Sequence, residues 1–209
     1  MAEWRLVSSP EAAGAAAAEF DGPVALKAVA PGVLRKREAG GVVLSLVGSA
    51  AVEAAATSMA ASLAAGGHPV DGFFVQRMVT GGVEMLAGVV HDRMFGPVIA
   101  CGAGGSEIAL LKDVAVRITP LTDRDASEMV RSLAIFPLLE GYRDAPREDV
   151  AALEETLLRV SALVEAHPEI AEMDCNPVIV LPEGAVVVDA RIRIEAGLAG
   201  DAGRARRRP

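Results

Sequence analysis

The chain has 209 residues, of which 52% are hydrophobic, with a formal net charge of −8 and a mean hydropathy of +0.36. That length can bury a sizeable core, as one large domain or two small ones. The apolar content is largely Ala and Val, and charges or glycines interrupt it before ~18 residues accumulate, so no membrane-spanning segment is expected. The acidic balance argues against general nucleic-acid binding, and with 3% aromatic residues no stacking platform for bases stands out.

Glu3, Trp4 and Arg5 are not followed by the apolar run of a signal peptide, which points to a cytoplasmic protein. Cys101 and Cys175 lie far apart without metal-ligand spacing and read as two reduced thiols. Residues 196–209, with the basic stretch Arg204–Arg208, are expected to be a disordered tail.

In chain order, Ser9-Pro10 supplies an N-cap and a first-turn proline for an Ala-rich helix to about Phe20, stopped by Asp21-Gly22-Pro23. Val24–Val29 reads as a buried strand interrupted by Lys27, which must either reach solvent or meet an anion. Pro31–Gly41 is a loop with three consecutive basic residues, Arg35, Lys36 and Arg37, closed by Gly40-Gly41. Mobile cations beside bare glycine amides can close on phosphate, although charged tips are common on hairpins.

A strand over Val42–Val47 and a long helix over Ser49–Ala65 follow, and then a linker holding His68. Three strands are expected next, from Phe73 to Val79, Val83 to Val90 and Val98 to Cys101, as an antiparallel meander. His91 falls in the turn after the second. Gln76 and Glu84, the polar exceptions, flank the Thr80-Gly81-Gly82 turn, where a ligand could sit. Gly102–Gly105 could cradle phosphate but lacks the lysine and serine of a Walker loop.

Ala115–Pro120 reads as a strand, and Thr122-Asp123 begins a helix ending before Pro137. From Asp149 to about Ala166, Val150, Leu153, Leu157, Val160 and Leu163 or Val164 form the apolar stripe of an amphipathic helix, which His167-Pro168 ends. Val178–Leu181 and Ala185–Val188, joined by Pro182-Glu183-Gly184, read as a hairpin. Asn176 is placed at the start of its first strand and Asp189 at the end of its second, so an amide oxygen and a carboxylate converge at one mouth. Such a pair suits Mg²⁺, which takes oxygen ligands and completes its shell with water and phosphate; equally, the two residues could simply open and close the strands. Antiparallel strands, short hairpins and moderate helices give an α+β architecture.

Several blocks in order carry a resemblance: Val24–Ala28, Pro31–Lys36 through Ala39–Val42, Val75–Val79 with Gly82–Glu84, Phe95–Val98, Leu110–Val114, Arg117 with Pro120–Thr122, Asp174–Val178 and Val188–Arg191. From Arg5 to Ile194 the chain resembles the ATP-grasp domain of NDP-forming acyl-CoA synthetases, relatives of the succinyl-CoA synthetase β subunit. The resemblance implies two α+β subdomains, here 5–70 and 71–195, with mostly antiparallel sheets and a cleft for Mg-ATP or Mg-GTP. It implies that Lys27 reaches the phosphates, with Arg35 and Lys36 of the basic loop beside the chemistry. Gln76, Arg77, Met78 and Val79 would supply backbone contacts to the adenine edge, Glu84 would lie close to the nucleotide, and Asn176 and Asp189 would hold Mg²⁺. It further implies a CoA-binding partner subunit, between which and this domain a phosphohistidine carries the phosphoryl group, and allows an oligomer.

The sequence departs from that family in three respects. Leu34-Arg35-Lys36 stands where the family has Leu-His-Lys, and a guanidinium that stays protonated cannot carry a phosphoryl group. Ala109 replaces a family glutamate, with Glu107 two residues earlier. The chain is also expected to lack the helix that precedes the family's ATP-grasp region, and a CoA-binding domain. Three readings stay open from sequence: a β subunit of an ADP-forming acyl-CoA synthetase, a degenerate ATP-grasp binding module, or another ATP-dependent ligase on this fold.

Overall fold

Two antiparallel sheets, each backed by its own helices, make up the computed structural model, which describes residues 1–33, 36–92, 94–105 and 113–195. The chain divides into an N-terminal unit, Ala2–Thr80, and a C-terminal unit, Gly81–Pro209 with Met1. Residues 196–209, the expected tail, lie outside the described residues.

The N-terminal sheet has strand order β1-β4-β2-β3, from β1 (Trp4–Val7), β2 (Val24–Val29), β3 (Val42–Leu46) and β4 (Gly72–Arg77). Because β4 pairs with both β1 and β2, the first unit reaches past residue 70, where the sequence reading divided the chain. Helix α1 (Pro10–Ala17) starts as its cap requires: the Ser9 hydroxyl accepts the Ala12 amide at 3.2 Å. It stops short of Phe20 because the amides of Ala18, Glu19 and Phe20 tighten onto carbonyls three residues back. Helix α2 (Ser49–Ala65) has the predicted limits. Val24, Leu26, Ala28, Phe73 and Val75 face these helices and close a core with Val52, Ala56, Met59 and Leu63. Burying each large side chain of this set contributes ~1.5–3 kcal/mol before chain entropy is subtracted.

The C-terminal sheet runs β10-β8-β5-β6-β7, with β9 also on β8. Its strands are β5 (Val83–Asp92), β6 (Gly96–Ala103), β7 (Val114–Ile118), β8 (Ile170–Val180), β9 (Ala185–Val187) and β10 (Ala190–Ile194). His91 is therefore a strand residue, opposite Pro97; the turn is made one residue later by the Asp92 carboxylate, which accepts the amides of Met94 and Phe95 at 2.7 and 2.9 Å. The helix expected after Thr122 does end before Pro137, as α3 (Asp123–Arg131), and Pro137 falls in the first turn of a separate single-turn helix, α4 (Phe136–Leu139).

Thr122 and Asp125 form a reciprocal capping box on α3. Helix α5 (Val150–Ala166) is capped by Asp149 and ends at His167, whose Nδ1 lies 3.2 Å from a Glu169 carboxylate oxygen. Its stripe of Leu153, Leu157, Val160 and Val164 is buried against Met85, Ala87, Val89, Ile99 and Cys101 of the sheet.

Both cysteines are buried and unbridged. Ala87 sits between them, paired with Cys101 on one side and Cys175 on the other. Two strand spacings are about 9–10 Å, beyond the ~6.8 Å Cα limit of a disulfide. Among the described residues no helix is long and apolar enough to cross a membrane.

Candidate functional site

Each unit presents its own group of the residues singled out from sequence. In the N-terminal unit, register decides the faces: Lys27 pairs with Phe74 and Val42, Ala25 with Gln76, Trp4 with Gln76 and Leu6 with Phe74. Directly paired residues share a face and alternate along the strand. Lys27 and Gln76 are thus diagonal neighbours on the face of the sheet turned away from α1 and α2. Gln76 is buried there, at 5% exposure, and Lys27 half-buried.

Arg77 belongs to the opposite face, across from Val24, and its side chain is exposed. The amides of Arg77 and Met78 donate to the carbonyls of Glu3 and Pro23 at 2.9 and 3.1 Å, so both already serve the sheet. Val79 follows β4, half-buried.

Of the basic loop, Arg35 and Leu34 lie outside the described residues. Lys36 is tied back on the sheet: its carbonyl accepts the Gly41 amide at 2.6 Å, and the Gly41 carbonyl accepts the Ala28 amide at 2.8 Å. The loop therefore returns beside the strand that carries Lys27.

In the C-terminal unit Asn176 is not at the start of a strand. It lies within the 11-residue β8, followed by a cis peptide bond to Pro177. The expected approach to Asp189 is present in the backbone: the Asn176 amide donates to the Asp189 carbonyl at 3.2 Å, and the Val188 amide to the Pro177 carbonyl at 3.0 Å.

From the other side, the Gly105 amide donates to Oδ1 of Asn176 at 3.2 Å, and the Gly104 amide donates to the Glu84 carbonyl at 2.9 Å. Gly105 has φ of +76°, and a Cβ there would stand 2.5 Å from Oε2 of Glu84. One at Gly104 would stand 2.7 Å from the Met85 carbonyl oxygen. These glycines let the chain after β6 lie directly on β5, and they bring Glu84 and Asn176 to the two sides of Gly105. From sequence alone this glycine run reads only as a weak phosphate loop. Ala109, which stands at the family's glutamate position, and Glu107, its candidate substitute, lie outside the described residues.

Asp174 was not singled out from sequence, although two residues before Asn176 on one strand puts it on the same face. It pairs with Gly88 on one side and Arg191 on the other. Burial raises its carboxyl above the ordinary range; Glu172 and Asp189 add to this and Arg191 opposes it. Burial, with the charges of Asp174 and Asp189, likewise raises the Cys175 thiol.

The donor set fits a hard cation that relies on other ligands. Asn176 and Asp189 offer oxygens from adjoining backbone, and among the described residues no group of three or more His, Cys, Asp or Glu could hold an ion. Mg²⁺ commonly takes one or two carboxylates and keeps waters and substrate phosphates for the rest.

Residues 1–194 match the ATP-grasp domain family. Over 192 residues the chain is 32% identical to the β subunit of an ADP-forming acetate–CoA ligase I of Pyrococcus furiosus, covering 91% of this chain and 83% of that subunit. It is 43% identical over 173 residues to an ADP-forming acetate–CoA ligase I of Archaeoglobus fulgidus, which covers 81% of this chain but only 25% of that longer protein.

Among solved structures, a dinucleotide-forming acetyl-coenzyme A synthetase 1 of Ca. Korarchaeum cryptofilum, in complex with coenzyme A, Ca-AMPCP and HgCl⁺, superposes with a TM-score of 0.89 at 35% identity, covering 93% of this chain and 86% of that one. The same protein with coenzyme A and Mg-AMPPCP gives a TM-score of 0.80 at 34% identity, covering 93% and 85%. The family match spans both sheets and the relative of similar length is matched nearly end to end; the chain belongs to the ATP-grasp family and stands with the β subunits of ADP-forming acyl-CoA synthetases.

Proposed function

We propose that this chain is the nucleotide-binding subunit or domain of an ADP-forming acyl-CoA synthetase, binding Mg-ATP for phosphoryl transfer to or from a CoA-binding partner. The observation that carries the reading is the retained oxygen-donor pair: Asn176 and Asp189 on adjoining backbone, with Gly105 and Glu84 packed beside them. In the N-terminal unit, Lys27 supplies a cation for phosphate on a sheet face it shares with Gln76, and Lys36 a second cation from the loop tied to its strand. Hydrogen-bonding contacts to the base from the stretch Gln76–Val79 come from its end, from the Met78 carbonyl and Val79, because Gln76 is paired within the sheet and the Arg77 and Met78 amides are engaged.

Bound Mg²⁺ would neutralise phosphate charge and hold the transferring group in place. Asn176 and Asp189 would ligate it, and Lys27 would orient the phosphates. Arg35 can bind an anion but cannot be phosphorylated as histidine is, so any phosphohistidine is assigned to the partner. The same substitution favours, as a second reading, a domain that binds nucleotide without transferring phosphate.

Calorimetric titration of Mg-ATP into the chain, repeated with the Asn176→Ala/Asp189→Ala double variant, tests the proposal. Micromolar binding abolished in the variant is the expected result; no binding by the native chain overturns the stand-alone nucleotide site. Labelled ATP offered with a CoA-binding subunit separates the readings, since label on the partner favours transfer and its absence the binding module.

A further inference from the structure

We infer that the indole of Trp4 is the surface on which the base of the bound nucleotide stacks, an inference that rests on the nucleotide reading above. Trp4 is the single tryptophan of the chain. It lies on edge strand β1 and keeps 42% of its surface exposed, an unusual place to leave the largest apolar side chain. Its ring packs nearly perpendicular to that of Phe74, with centroids 5.2 Å apart at 74°. An indole packed on one neighbour and still 42% exposed keeps surface that a second flat ring can meet.

Its position relative to Lys27 gives the ligand. Trp4 pairs with Gln76, Gln76 with Ala25, and Ala25 lies two residues from Lys27 on the same face. Two strand spacings across and two residues along separate the Cα atoms by about 12 Å. The indole and the lysine rise from one sheet face at that separation, on either side of the buried Ala25 and Gln76, a spacing that suits a ligand with a charged end and a flat aromatic end. Leu6, 56% exposed on the same face, extends the apolar floor beside the indole. Arg5 and Val7, the alternate residues of β1, turn the other way: Arg5 lies over the Phe20 ring, 5.3 Å from its centroid, and Val7 packs on the helix-side core. The strand thus separates packing residues from ligand-facing ones by its alternation. The low aromatic content seen in composition hides this because a nucleotide needs one such ring, whereas a nucleic-acid surface needs a series.

The experiment compares Mg-ATP with Mg-tripolyphosphate, which has the charged end without the base. In the native chain, Mg-ATP is expected to change Trp4 emission saturably, and tripolyphosphate to leave it unchanged. Trp4→Ala is expected to weaken Mg-ATP about ten-fold with tripolyphosphate unaffected, and Trp4→Phe to retain most of the affinity. Equal calorimetric affinity of the native and Trp4→Ala chains for Mg-ATP would overturn the inference and leave the nucleotide reading standing. Should Trp4→Ala not fold, the native chain decides: calorimetric saturation with unchanged emission overturns it too. A native chain silent to Mg-ATP in calorimetry overturns both, and is recognised because no variant is involved.

Discussion

Asn176 and Gly105 are 71 residues apart in sequence, yet the side-chain oxygen of one accepts the backbone amide of the other at 3.2 Å. The same Gly105 lies against the Glu84 carboxylate, so one glycine holds two of the residues assigned to the nucleotide and its cation. Gly105→Ala is expected to cost about 1–2 kcal/mol, since it puts a side chain on a left-handed backbone, while the exposed Glu84 carboxylate can swing away from the new methyl group. Adding Glu84→Ala should therefore recover little of that loss, which urea unfolding of the two variants would show.

Ser161 gives a test outside the site. Its buried hydroxyl, on a residue 3% exposed, accepts the Leu121 amide at 3.0 Å and ties the segment before α3 to the middle of α5. Ser161→Ala would leave that amide without its partner and should lower stability by about 1–3 kcal/mol in chemical denaturation. Nucleotide affinity should stay unchanged.

Acid sensitivity has one identifiable source in the α3 cap. The Thr122 hydroxyl, with its amide, bonds the Asp125 carboxylate and holds its pKa below the ordinary 3.8. A depressed folded value means the contribution is complete above the unfolded pKa and disappears as pH falls through the folded one. Asp125→Asn should therefore lower the melting temperature at neutral pH, where the contribution is complete, and flatten its decline below about pH 5, so that the two chains converge in acid.

The thiols behave in the opposite sense at alkaline pH. Burial pushes Cys101 up to about 12 from an ordinary 9.0, with Asp113 adding to it. The folded value lies above the unfolded one, so the contribution is complete below about pH 9 and is lost progressively toward pH 12. Cys101→Ser should reduce that alkaline loss, as melting curves across the range would show.

An edge position left Ser45 on β3 with φ of +59°, beside the register shift between Val24 and Leu26. Ser45→Gly should raise stability by about 0.5–1 kcal/mol if relief of the left-handed backbone outweighs the added chain entropy. An unchanged denaturation midpoint would mean that the two effects cancel.

Elements with a strong local pattern could be read from sequence: Val24–Val29 as an apolar run, Ser49–Ala65 as an Ala-rich helix, Val150–Ala166 by its stripe. Strand β1 could not, since four residues with alternating exposure carry too short a period. Nor could the first half of β8, where Glu172 and Asp174 are poor strand formers; pairing with β5 on one side and β10 on the other overrides that preference. Missing those residues misplaced Asn176 at a strand end, although its approach to Asp189 was foreseen from the hairpin. Gly105 escaped because its role is a long-range hydrogen bond and a close packing distance, and neither leaves a local trace.

The placement of the tryptophan and the two thiols has a practical consequence. The N-terminal unit holds the chain's only indole, while both cysteines lie under the helices of the C-terminal unit. Emission therefore reports on one half of the molecule and thiol labelling on the other, without any introduced probe. If the halves melt at different denaturant concentrations, the two native signals will separate.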